Sequence, residues 1–129
     1  KVVPNDTVSY DNLGKLYNFN LKDYPKAEEY FLKSIAIAST STLPYYELHT
    51  LYRYSYKKDT AAAADILKKL ANIMPADPNP WFQLGLYYRD IGKATDAKAA
   101  LTTAMDKARA AGMIELMTQI GAELQRFAQ

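Results

Sequence analysis

Side chains able to carry proton transfer, nucleophilic attack or metal binding are scarce in this chain of 129 residues. His49 is its one histidine and there is no cysteine, so neither a His/Cys metal set nor a thiolate nucleophile can be assembled. Carboxylates alone would suit only Ca²⁺ or Mg²⁺. No D-x-D-x-D-G loop, no G-x-x-x-x-G-K-[ST] and no G-x-S-x-G occurs. The hydroxyls cluster in "STSTL", residues 39–43, which reads as a turn in which Ser41 or Thr42 caps the next helix and as a phosphate acceptor otherwise. Asn5-Asp6-Thr7 is a glycosylation triplet that has meaning only in a secreted chain. The expectation is a protein that is not an enzyme, with no catalytic residue, no cofactor and no metal.

The bulk numbers agree with one folded domain. Hydrophobic residues make up 49% and charged residues 23%, the balance of a soluble globular domain. A formal net charge of +2, spread along the chain, does not predict a nucleic-acid groove. No apolar run reaches the roughly 18 residues of a membrane span, and no signal-peptide pattern opens the chain, so no direct membrane insertion is expected. Absence of cysteine leaves the compartment open, with the cytoplasm slightly favoured. Eleven tyrosines are the compositional oddity.

Those tyrosines fall into a repeat. Trp81, Leu84, Gly85 and Tyr88 have the internal spacing of Tyr45, Leu48, His49 and Tyr52, and of Tyr10, Leu13, Gly14 and Tyr17. A second block follows each: Ala97, Leu101 and Ala104; Ala63, Leu67 and Leu70; Ala27, Phe31 and Ser34. Both blocks have helical spacing. One extra residue in the first unit and two in the second fall between the blocks, at "NFNLKD" and "SYKKDT". Loops tolerate insertion where helices do not, so the unit is helix–loop–helix. A glycine inside a helix costs roughly 1 kcal/mol against alanine. Close approach of the second helix would offset that cost at Gly85, with Ala97 and Ala104 as its small partners. Gly92 allows a left-handed turn at the helix end. His49 stands in the glycine's place, and reads as a helix-packing residue rather than a base or ligand.

W-x2-L-G-x2-Y followed by A-x3-F/L-x2-A on a period of about 34 residues resembles the tetratricopeptide repeat. The likeness covers nearly the whole chain. It is strong in the third unit, good in the first and degenerate in the second, where His49 replaces the glycine and Leu70 a small residue. It implies an all-α, right-handed α-solenoid of stacked antiparallel helix pairs, with repeats near 7–40, 42–76 and 78–111. Seven helices are predicted, at about 6–19, 23–38, 43–57, 60–73, 79–91, 94–110 and 113–128. The last presents Met113, Leu116, Met117, Ile120, Leu124 and Phe127 on one face and Glu115, Gln119, Glu123 and Arg126 on another. It reads as the polar-backed cap a solenoid needs, or else as a partner-binding amphipathic helix. Pro4 stands before Tyr10 as Pro75 stands before Trp81, so Lys1 to Pro4 reads as the stub of a preceding repeat, and the chain as part of a longer protein.

In a superhelix of this kind the first helix of each unit lines the concave side. Beside the core stripe of the first helices runs a second one: Asp11, Lys15, Asn18 and Phe19; Tyr46, Thr50, Arg53 and Tyr54; Phe82, Leu86, Arg89 and Asp90. Aromatic residues that core packing does not require are what a peptide groove uses. Phe19, Tyr46, Arg53, Tyr54, Phe82 and Arg89 are accordingly the candidate partner-binding residues. The competing reading packs Tyr46 and Phe82 against neighbouring helices and lets Phe19 and Tyr54 shield loops. The family's chaperone-tail receptors grip a terminal carboxylate with a Lys, Asn, Asn, Lys, Arg set. The matching positions here are Asp11, Lys15, Glu47, Asn79 and Gln83, none of which agrees, so a chaperone C-terminal tail is not the expected ligand. The function expected is a non-catalytic scaffold for a protein or peptide partner. The alternative is a structural or self-association domain of a larger protein, with no soluble peptide ligand. An RNA-binding repeat is argued against by Asp11 and Asp90 on the same stripe.

Overall fold

The computed structural model describes residues 6–128. Among them are seven α-helices and no strand: α1 (Thr7–Lys15), α2 (Tyr24–Ile37), α3 (Leu43–Tyr54), α4 (Ala62–Ile73), α5 (Asn79–Asp90), α6 (Ala94–Ala111) and α7 (Ile114–Arg126). The supposed repeat stub at Lys1 to Pro4, and Asn5 of the glycosylation triplet, lie outside the described residues. The chain divides into two compact units, one running to Ile66 and one starting at Leu67.

In the first unit α1 folds back on α2, and α2 packs on α3. Asp6 starts α1 by accepting the Ser9 N–H at 2.7 Å, which satisfies one of the orphan amides of the first turn. Gly14 is where the two helices come closest. A Cβ built there would stand 2.5 Å from Cε1 of Phe31, a side chain with no solvent exposure. The ring edge occupies the space an alanine methyl would need. Three of the eleven tyrosines also lie here. Tyr30 stacks between Tyr10 and Tyr17, with centroids 6.1 and 5.4 Å away, and the Lys33 ammonium sits 5.3 Å from the Tyr30 centroid.

The extra residue of "NFNLKD" is accommodated inside the helix rather than in a loop. Leu16–Asn20 continue α1 as one π-helical turn, closed by Leu21 N–H donating to Leu16 O at 3.1 Å. The left-handed residue that ends this helix is Lys22, at φ 56°, where the second unit has Gly92, at φ 79°. Two insertions in "SYKKDT" act differently. The helix predicted to reach residue 57 stops at Tyr54, and Lys57 and Asp59 take positive φ. A network pins this turn to α2: Glu28 Oε2 accepts from the Tyr52 hydroxyl at 2.6 Å and from the Lys57 ammonium at 2.9 Å. Burial, then the Glu28 carboxylate, push the Tyr52 hydroxyl well above its ordinary pKa.

The side-chain cap expected from Ser41 or Thr42 is not made. Thr42 precedes α3 at φ −79° and ψ −27° with no side-chain capping bond. An N-cap hydroxyl reaches the amides two or three residues on from an extended backbone, not a helical one. Pro44 in the first turn removes one donor from the need for a cap.

His49 shows how the degenerate unit manages without its glycine. Its Nδ1 donates to the Ala63 carbonyl at 2.8 Å, and the residue is 5% exposed. The equivalent carbonyl in the second unit, that of Ala97, would lie 3.4 Å from a Cβ on Gly85. Backbone contact in one unit is thus replaced by a hydrogen bond in the other. Burial holds the imidazole pKa below its ordinary value, outweighing the Ala63 bond that favours the cation. A group more acidic when folded binds its proton first in the unfolded chain, so stability rises with pH across that window. The urea midpoint should therefore fall as pH drops below about 6.5. His49→Gln, which keeps a donor for Ala63, should flatten that slope in a pH 7.5 to 5.5 series.

In the second unit α5 packs on α6, and α6 on α7. A Cβ on Gly85 would meet Leu101 Cδ2 at 2.7 Å. Gly92 gives the left-handed turn after α5, and Lys93 N–H closes it on Tyr88 O at 2.9 Å. Gly112, at φ 69°, ends α6 the same way. Leu101, Ala104 and Ala108 of α6 form a buried cluster with Leu116 and Ile120 of α7, and Trp81, Phe82, Met105, Met117, Leu124 and Phe127 pack around it. The apolar face assigned to the last helix is the one that docks, except for Met113, which is exposed.

Candidate functional site

The candidate residues lie on both units and are described on each separately. On α3, Tyr45, Leu48 and Tyr52 are buried. The stripe beside them carries Tyr46, which is half-buried, and Tyr54, which is 62% exposed. Arg53 places its guanidinium 5.1 Å from the Tyr54 ring centroid, a cation–π arrangement that holds both side chains in place. Phe19 projects from the π-helical turn at 55% exposure. Short π segments in helices often accompany functional sites because they turn side chains off the regular helical stripe.

The candidates on α5 have intramolecular partners. Phe82 packs against the α6–α7 cluster, so much of its area goes to holding the last helix. The Arg89 guanidinium bonds Glu123 of α7 at 2.5 Å and Asp90 at 2.8 Å. These carboxylates, Glu123 first, raise its pKa further. Glu123, assigned above to the outward face of the last helix, is turned toward α5 instead, while Glu115, Gln119 and Arg126 are exposed. A shallow hollow of about 380 Å³ lies between Asn79 at the start of α5 and the first turns of α7.

Three charged residues not proposed as a site meet where α1 touches α3. Glu47 has its pKa raised by burial; the charge of Lys15 opposes this and that of Asp11 adds to it. Asp11 is only 8% exposed. These are positions at which the carboxylate-gripping pattern fails, and that failure was the available signal in the sequence. No group of three or more His, Cys, Asp or Glu that could hold a metal occurs among the described residues. No helix among them is long and apolar enough to cross a membrane.

The family model for the tetratricopeptide repeat matches residues 8–41 and 78–106, the first and third of the three repeats read from the sequence. These two segments are tetratricopeptide repeats. Of the solved structures, one titled "Crystal structure of MamA" is similar to it at 20% sequence identity and a TM-score of 0.59, covering 97% of this chain and 82% of that one. At that identity the likeness bears on the fold, which is an all-α solenoid. No curated protein matches the chain. Tetratricopeptide repeats are protein–protein interaction scaffolds and generally non-catalytic. In these tetratricopeptide units the packing glycine is retained at Gly14 and Gly85, and His49 takes its position in between.

Proposed function

We propose that this tetratricopeptide-repeat chain holds a peptide segment of a protein partner against the inner stripes of its first helices. The observation that carries the reading is the pair of aromatic side chains, Phe19 and Tyr54, left more than half exposed on the first unit, with Arg53 held over the Tyr54 face. Aromatic rings offer large contact area with few rotors to freeze, and arginine adds orientation. Tyr46 contributes from two turns earlier on α3. On the second unit, taken by itself, Phe82 and Arg89 are the proposed contacts, Phe82 from a position fixed against the α6–α7 cluster and Arg89 as a charge pair with Glu123.

A displayed library of random dodecapeptides, selected on the protein, tests this. Selected peptides should bind the Phe19→Ala/Tyr54→Ala variant at least tenfold more weakly. Both side chains are exposed, so the variant should keep the wild-type circular dichroism and melting temperature. Selected peptides that bind the folded variant equally well would remove the groove assignment. Concentration-dependent dimers in sedimentation, lost on the same substitutions, would favour self-association.

A further inference from the structure

We propose that the face shared by α1 and α3 is a subsite for a cationic side chain of the bound peptide, arginine in preference to lysine, received by Asp11 and Glu47. It rests on the peptide-binding reading above but is carried by other residues. Asp11 is more than nine-tenths buried, and its Oδ1 has no hydrogen-bond partner. A buried carboxylate oxygen without a donor is costly. Such groups in native structures have a functional role or take a bound water or ion as partner, and the donor of a ligand side chain would serve equally. Glu47, on the facing helix, is near enough for the charges of Asp11 and Lys15 to act on it. The two carboxylates and one ammonium leave the cluster one positive charge short. Lys15 closes no ion pair to either acid among the described residues. It stands four residues after Asp11, a spacing at which helical side chains can pair, yet the donor of Asp11 Oδ1 is still missing, and a side chain entering from outside could serve both acids together. A guanidinium has five donors in a planar fork and can bridge two carboxylates, while an ammonium acts as a point charge.

The probe is Nα-acetyl-arginine methylamide, titrated into ¹⁵N,¹³C-labelled protein, with the corresponding glutamine derivative as the neutral control. Saturable shifts are expected in the Asp11 and Glu47 carboxyl carbons and in the amides of Asp11, Lys15 and Glu47. The glutamine derivative should produce none. Asp11→Asn is nearly isosteric and removes an unpaired charge, so its melting temperature should not fall, yet its affinity for the probe should drop at least tenfold. Glu47→Gln should act in the same direction and replaces Asp11→Asn as the reading if that variant melts early. Equal binding of the probe by a folded variant, or equal shifts from the glutamine derivative, would overturn the subsite. Library peptides that show no enrichment of basic residues and bind Asp11→Asn unchanged would end this proposal and leave the groove intact. A docked arginine probe with no selected peptides would do the reverse.

Discussion

Phe31→Ala is expected to cost about 3–5 kcal/mol of folding stability, the range for deleting a fully buried phenylalanine. Phe31 has no exposed surface, and its ring edge lies where a Gly14 side chain would be. The same contact predicts the behaviour of Gly14→Ala. In the wild type the new methyl meets Cε1, Cδ1 and Cζ at 2.5 to 2.7 Å, and the buried ring has nowhere to retreat. Overpacking of this kind costs about 1–3 kcal/mol, of which improved helix propensity returns roughly 1. With Phe31 already replaced by alanine, the methyl enters a cavity, and Gly14→Ala should become stabilising by about 1 kcal/mol. Urea unfolding of the four proteins measures the cycle. An equal cost for Gly14→Ala in both backgrounds would show that the ring does not set the glycine's role.

Ile120→Ala is the second large effect, at about 2–5 kcal/mol. Ile120 is fully buried in the cluster through which α6 holds α7. The other tie described for α7 is the Arg89–Glu123 pair, in which the arginine side chain is 30% exposed. Pairs exposed to that degree contribute about 1 kcal/mol or less, so Glu123→Gln should be mild. Amide hydrogen exchange separates the two. Ile120→Ala should lower protection across residues 114–126 by at least tenfold, since each 1.4 kcal/mol is a factor of ten, and Glu123→Gln should lower it far less. Protection of α7 that survives Ile120→Ala would mean that the apolar cluster is not what docks this helix.

Much of the architecture could be read from spacing because packing acts through residue size at fixed intervals. Gly85 announced close approach, Gly92 a left-handed turn, and the apolar face of the last helix its docking side. What escaped reading depends on partners distant in sequence. Nothing local tells that His49 donates to Ala63, 14 residues on, or that Glu123 turns to Arg89, 34 residues before it. The missing Thr42 cap is a backbone effect: the residue type suits a cap, but the dihedrals do not. Of the candidate site, helical geometry identified the stripes and left two readings of them open; the packing of Phe82 on the α6–α7 cluster and the exposure of Phe19 and Tyr54 depend on neighbours distant in sequence.

The π-helical turn at Leu16–Asn20 bears on how such a chain tolerates changes in length. One inserted residue would rotate everything after it by about 100° if the helix simply lengthened. Widening a single turn confines that rotation to five residues, so the tyrosine ahead of it and the helix beyond it keep their pairing. A one-residue deletion within the turn should accordingly restore a plain α-helical ending and leave the hairpin assembled, which makes this segment a place where a helical hairpin can change length without losing its own pairing.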